Sequence, residues 1–423
     1  MPPDVLHHAK RAVIDWYASV FPGLETRPVQ LLMQTVAEDL DRGAAKLANG
    51  RAATARAAAL VNGAAAHAAE VDDSFRDAMY HPGAATIAAA LAAAQSCGAD
   101  GLQFLRAVVV GYEISTRIGM VMGREHYKYW HNTGTVGTFG AAAAAAELLQ
   151  LDEPAFAHAL ATAATFAAGL QQAFRMDSMS KPFHPARAAE GGLLAAKLAE
   201  SGVTGSLDIF EGEIGFGSAM SSGPDWSRVG ETLGSQFHVT RLTFKNHIGC
   251  GLAFPAIDGA LALQRQHGFQ ADEIEHIHVA TYKSAVDIAC FMNPATGHEA
   301  RFSIPFVVAT ALVHGSVRMA AYEPTRLEDA RTRSLLQRVT VSVDPELDAL
   351  FPGQRAARVE ISLRDGRHLV HLQPNRKGDP EEPLDDQELE GKLVELAGPV
   401  IGADASRALV SQLWALDTGG ALH

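Results

Sequence analysis

The chain has 423 residues, 48% of them hydrophobic and 20% charged, with a formal net charge of −13. Such a length calls for two or three cores rather than one, and the composition is that of a folded protein rather than a disordered one. The acidic balance and the absence of Lys/Arg runs exclude a nucleic-acid surface, so an anionic substrate would need cations gathered locally.

Cys97, Cys250 and Cys290 lie far apart without CxxC or Cys/His ligand spacing. That pattern argues against a disulfide framework or structural zinc and fits a reducing compartment. The first residues, "MPPDVLHHAKRAVIDWYASV", lack the charged-then-apolar plan of a signal peptide. The most apolar stretches, "TVGTFGAAAAAAELL" and "AFAHALATAATFAAGL", are too short or too interrupted to span a bilayer. The expectation is a soluble cytoplasmic protein with neither membrane nor nucleic acid among its partners.

Residues 1 to about 235 read as successive helices. "PDVLHHAKRAVIDWYAS", "TIAAALAAAQSCG", "GLQFLRAVVVGYEISTRIG", "VGTFGAAAAAAELLQL", "EPAFAHALATAATFAAGLQQAF" and "RAAEGGLLAAKLAESG" each repeat apolar residues at three-to-four spacing. Alanine favours helix and its small side chain lets helices approach closely. No period of 20 to 50 residues recurs, which excludes a solenoid. After residue 238 the pattern changes. "IEHIHVATYK", "RVTVSVD" and "ARVEISLRDGRHLVHL" alternate with period two, the last around an Asp365-Gly366 hairpin turn. "LAFPAIDGALALQRQHG" and "PFVVATALVHG" are helical between them. "RKGDPEEP" is a polar connector, followed by two helices, the last docking on the helical domain.

Five clusters could carry chemistry. "AHAAEVDDSFRDAMYHPG" holds His67, Glu70, Asp72, Asp73, Ser74, Asp77 and His81 among alanines. On a helix His67, Glu70, Ser74 and Asp77 would share one face, and Pro82 would make His81 end that helix and face a loop. A polar stripe is ordinarily solvated, but the alanine flanks suit an interior helix. A metal there has ligand types but neither HExxH spacing nor a calcium-loop order. "REHYKYWHNTGTVGTFG" places His131 before a small-residue helix that Thr133 or Thr135 could cap. "SMSKPFHPARAAEGG" gathers Lys181, His184 and Arg187, which suits carboxylates or phosphate. "LTFKNHIGCG" holds Lys245, His247 and Cys250, and "NPATGHEARFSIPF" holds His298, Glu299 and Arg301. No nucleotide loop, GxSxG elbow or cysteine-protease signature accompanies them. What remains is equipment for moving protons on a carbon beside a carboxylate.

Taken in order, "NGAAAHAAEVDD…HPG", "GYEISTRIG", "HNTGTVGTFGAAAAAAELL", "SKPFHPARAAEGGLLAAKLAESG", "FEGEIGF", "FKNHIGCG…IDGA", "HEARFSIPF" and "GDPEEPL" resemble the MmgE/PrpD family across nearly the whole chain. That family includes 2-methylcitrate dehydratase, cis-aconitate decarboxylase and iminodisuccinate epimerase. The resemblance implies a mainly α fold: a large all-helical domain formed by both chain ends, 1–238 completed by 397–423, plus a smaller α+β lid domain, 239–396. It also implies a homodimer, no cofactor, no metal, a small di- or tricarboxylate substrate and a site in the cleft between domains. Carried over by position, the site is Glu70, Ser74, His81, His131, Lys181 and Lys245, with Asp73, His184, Arg301 and Cys250 as further substrate-binding candidates. Decarboxylase-like members carry Asp at Glu70, His at Cys250 and Tyr at Phe306, and one residue fewer between Ser74 and His81. The implied reaction is dehydration of a 2-methylcitrate-like acid. Epimerisation of an iminodisuccinate-like acid and cis-aconitate-type decarboxylation are the alternatives, and a non-catalytic carboxylate-binding dimer is the alternative outside enzymes.

Overall fold

The computed structural model describes residues 1–423 except 175, 177, 290, 352, 419–421 and 423; Cys290 therefore lies outside the described residues. The chain divides into two compact units, Met1–Phe244 with Asp385–His423, and Lys245–Leu384. The fold is mainly α, with a smaller α+β part.

In the first unit the helix Asn132–Leu148 is surrounded by Pro82–Cys97, Gly101–Tyr127 and Phe183–Glu200. Every residue from Asn132 to Ala146 is buried, and most are small or apolar, as an interior helix requires. Close approach explains the choice of alanine and glycine. A Cβ on Gly192 would fall 2.5 Å from Ala141 Cβ and 2.6 Å from the Ala142 nitrogen, and one on Gly140 would meet Thr86 Oγ1 at 2.5 Å. Asp100 opens Gly101–Tyr127 with a capping box to Gln103. Helix Asp386–Ile401 returns to pack on Pro3–Leu24, and Ala403–Trp414 packs on both. No helix among the described residues is long and apolar enough to cross a membrane.

Two local readings change. A short antiparallel pair, Leu40–Lys46 with Ala52–Ala53, sits within the helical unit, unanticipated because its strands carry Ala, Gly and charged residues rather than β-branched ones. The long helix expected over 153–174 stops at Ala163 and gives way to short 3-10 turns, Ala164–Phe166 and Gln171–Phe174. Gly169, at φ 131°, lets the backbone pass the His184 ring, where a Cβ would come within 3.1 Å.

The second unit is built on a four-stranded sheet in the order Val339–Val343, Ile274–Thr281, Ala357–Leu363, His368–Gln373. The first pair is parallel and the others antiparallel, with Val279 opposite both Val341 and Val359. Burial alternates strictly along Ala357–Leu363, as the period-two pattern required. Phe254–His267 covers the apolar face, and Ile304–His314 packs against that helix.

Candidate active site

Three passes of the first unit's backbone bring the predicted residues together. The first is the end of helix Ala55–Ala68. The chain leaves helical geometry there, with Glu70 at φ 59°. Ser74 then exchanges backbone hydrogen bonds with Thr243, both 2.9 Å, and Phe75 pairs with Tyr80. The single helical face expected for His67, Glu70, Ser74 and Asp77 is therefore not formed. Short acids compete with the backbone for hydrogen bonds, and here Asp72 and Asp73 bond to side chains and to the next helix instead.

His67 is buried, and its Nδ1 lies 2.7 Å from Asp72 Oδ2. A carboxylate only accepts, so Nδ1 carries a proton. The Nε2 atom is buried with no hydrogen-bond partner. His81, expected to end a helix, instead stands before one: it precedes Pro82–Cys97, and Pro82 supplies the first helical residue, where a missing N–H costs nothing. Its Nδ1 donates to the Asp73 carbonyl at 2.6 Å and lies 3.4 Å from Asp72 Oδ2. Asp73 is buried, accepting from Tyr112 Oη at 2.7 Å and from the Gly83 N–H at 3.0 Å. Burial and the nearby Asp15 charge push its carboxyl up to about 8, against the pull of the Tyr112 hydrogen bond.

The second pass is the start of Asn132–Leu148. His131 precedes the helix, and neither Thr133 nor Thr135 caps it. Both lie inside the helix: Thr133 Oγ1 accepts from the His81 N–H at 3.4 Å, and Thr135 Oγ1 bonds His126 Nε2 at 2.7 Å. The His131 N–H donates to the Gly169 carbonyl at 2.8 Å, and its Nδ1 is 3.0 Å from His184 Nδ1. The His131 ring centre is 5.4 Å from that of His67 and 5.2 Å from that of His184; His67 and His81 are 5.0 Å apart. Burial holds His131 well below the ordinary histidine value, reinforced by His67, Lys181 and His184. Burial likewise takes His184 down to about 4. Both rings are neutral at pH 7.

The third pass is the turn before Phe183–Glu200. Lys181 Nζ lies 2.7 Å from Glu70 Oε1, with both side chains about a quarter exposed. Burial pulls the ammonium down, but the Glu70 carboxylate more than offsets this and holds it above its ordinary value. Arg187, grouped with Lys181 by sequence, bonds Glu190 instead. The first unit thus assembles Glu70, Asp73, His81, His131, Lys181 and His184, with Ser74 half-buried beside them in sequence.

Lys245, Cys250 and Arg301 belong to the second unit. Lys245 is buried. Cys250 is half-buried and its N–H donates to the Arg301 carbonyl at 3.0 Å. The Arg301 guanidinium lies over the Tyr322 ring at 5.0 Å, with its Nε buried and unpartnered. Phe306 is fully buried, 6.5 Å from the same ring. Here His247 Nε2 bonds Asp258 Oδ1 at 2.8 Å.

Sequence reasoning missed four contributors: Asp72 as a partner of His67, Tyr112 and Asp15 around Asp73, and Lys392, whose Nζ reaches Asp15 Oδ1 at 2.6 Å. Asp15 and Lys392 carried a usable signal. Each interrupts an apolar face of its helix, Asp15 at helical spacing from Ala12 and Ala18 and Lys392 from Leu389 and Leu396, and their charges are opposite.

Among the described residues, His67, Asp72 and His81 are the one group of three whose ligand atoms lie within 4.8 Å of one another. A metal ion held through both Nδ1 atoms would have to displace the His67–Asp72 bond and the His81 bond to Asp73. Elsewhere in the first unit a cavity of about 400 Å³ is lined by Arg117, Arg228 and Arg241. Each is already paired, with Glu113, Glu231 and Asp77 respectively, so the cavity offers a carboxylate less than the Lys181 region does.

The MmgE/PrpD N-terminal domain model matches residues 1–229, and the C-terminal domain model matches residues 247–416. The chain belongs to the MmgE/PrpD family. It is 28% identical to the cis-aconitate decarboxylase-like protein oryM of Aspergillus oryzae, over 99% of this chain and 91% of that protein. The cis-aconitate decarboxylase of Mus musculus is 28% identical over 84% of this chain and 74% of its own length. The Homo sapiens enzyme of that name is 26% identical over 84% and 75%. Apart from Phe244, Lys245 and Asn246, which lie between the two matched stretches, every motif that resembles the family falls within them.

Proposed function

We propose that this protein is a lyase that removes water from a small hydroxylated di- or tricarboxylate, a 2-methylcitrate-like acid, without a cofactor. The observation that carries the reading is the buried imidazole of His131, 5.4 Å from the His67 ring and 5.2 Å from the His184 ring, held below the ordinary histidine value by burial and by neighbours that include the Lys181 ammonium. Abstraction of a proton beside a carboxylate needs a base that is unprotonated at neutral pH and a cation to steady the enolate charge. In this reading His131 takes the proton, and Lys181, Lys245 and His81 hold carboxylates. Glu70 and Ser74 orient the substrate, with His184, Arg301, Cys250 and Asp73 around it. In this reading the protein works in the cytoplasm as a homodimer.

A second reading, decarboxylation of a cis-aconitate-like acid, is favoured by the names of the relatives. Cys250 and Phe306 weigh against it, because decarboxylase-like members carry an imidazole and a phenol there. Incubation with citrate-type and aspartate-type acids in heavy water, followed by NMR, separates the outcomes. A new alkene signal with loss of the hydroxyl supports dehydration. Carbon dioxide release supports the second reading, and deuterium uptake with inversion but no net loss indicates epimerisation. An acid panel left wholly unchanged contradicts both readings.

A further inference from the structure

We infer that His67, held by Asp72, is the general acid of this site, complementary to the base His131; the inference rests on the dehydration reading above. Hydroxide is a poor leaving group, so elimination needs a proton delivered to the departing oxygen as well as a base at carbon. The two histidines have opposite surroundings. His131 lies 5.4 Å from the His67 ring and 5.2 Å from the His184 ring, and the positive charge of these rings and of the Lys181 ammonium disfavours its protonation. His67 has the Asp72 carboxylate 2.7 Å from Nδ1, which supplies the countercharge for an imidazolium.

Geometry supports the assignment independently. Nε2 of His67 is buried and lacks any hydrogen-bond partner, whereas most buried polar side-chain atoms have one. The ring lies 5.0 Å from that of His81 and 5.4 Å from that of His131. A substrate oxygen there would give Nε2 its missing partner. The steps balance. His131 takes the proton from the carbon beside the carboxylate, and the C–H electron pair enters the carboxylate as an enolate. That pair then forms the C=C bond while the neighbouring C–O bond breaks, and the oxygen leaves as water with the proton from His67 Nε2. His131 has gained one proton and His67 has lost one, so a transfer between the two rings, directly or through water, restores both.

Substitution His67→Gln keeps the base and removes the acid, and three substrates separate these roles. Tricarballylate has no hydroxyl, so exchange of its C–H protons in heavy water needs the base alone. His67→Gln should retain that exchange, whereas His131→Ala should lose it. On the hydroxylated acid, His67→Gln should lose elimination by about 100-fold or more. Replacing the hydroxyl of that acid by fluorine, which leaves without full protonation, should restore elimination in His67→Gln close to the wild-type rate. Asp72→Asn, which preserves shape while disturbing the ring tautomer, should reproduce the same split. Parallel loss of exchange and elimination in both variants, or full elimination in His67→Gln, would overturn the acid role while leaving the dehydration reading intact. A wild-type protein that exchanges none of these acids would overturn the reading and this inference with it.

Discussion

Lys392 Nζ lies 2.6 Å from Asp15 Oδ1 and donates to the Val71 carbonyl at 2.9 Å. The helix Asp386–Ile401 thereby fastens the helix Pro3–Leu24 to the acid-rich segment that follows Ala55–Ala68. All the charge involved is buried.

Substituting Lys392→Met removes the cation from a buried ion pair with Asp15. Removing one partner of such a pair costs about 3–5 kcal/mol. Denaturant unfolding should register that loss, and the double variant Asp15→Asn/Lys392→Met should recover much of it. A Lys392→Met protein as stable as wild type would show that the pair contributes nothing.

Asp73 makes stability depend on pH. Its folded value of about 8 lies above the ordinary carboxyl value of 3.8, so between these limits the folded state holds a proton that the unfolded state has released. Stability from this group is complete below the unfolded value and is lost as pH rises toward 8, at up to about 1.4 kcal/mol per pH unit. Asn mimics the protonated acid toward Tyr112 and Gly83. Asp73→Asn should therefore raise the thermal midpoint at pH 8 more than at pH 5; an equal shift at both would contradict a protonated Asp73.

Glu70 sets the charge of Lys181. Burial alone would lower that ammonium, and the Glu70 carboxylate keeps it raised. Glu70→Gln should therefore bring Lys181 deprotonation to lower pH. Carboxylate binding, read as 1/KM, should weaken at a lower pH than in wild type, with about tenfold loss of kcat/KM at pH 8. An unchanged alkaline limb would separate Lys181 from carboxylate binding.

The parts of this molecule governed by local pattern were legible in its sequence. Alanine-rich periodicity marked the enclosed helices, and Val359, Ile361 and Leu363 marked a strand whose burial alternates as their spacing requires. What was not legible depends on distant pairing. Residues 67–77 have helical spacing, but Ser74 pairs with Thr243, and that bond pulls the segment into extended geometry. The same departure brings Asp72 to His67. Similarly, the helix expected through residue 174 yields to a turn in which Gly169 accepts the His131 N–H, a partner 38 positions away that no window of sequence contains.

The central claim is that His131 is the base. Because burial keeps it well below the ordinary histidine value, it should remain unprotonated throughout the neutral range, so its limb of the kcat/KM profile should fall only in acid, below pH 6.5. The most direct measurement is deuterium uptake by tricarballylate in heavy water, comparing wild type with His131→Ala while circular dichroism monitors the fold. The account predicts uptake by wild type and a loss of about 1,000-fold or more in a folded His131→Ala protein. Wild-type uptake in that variant would contradict it.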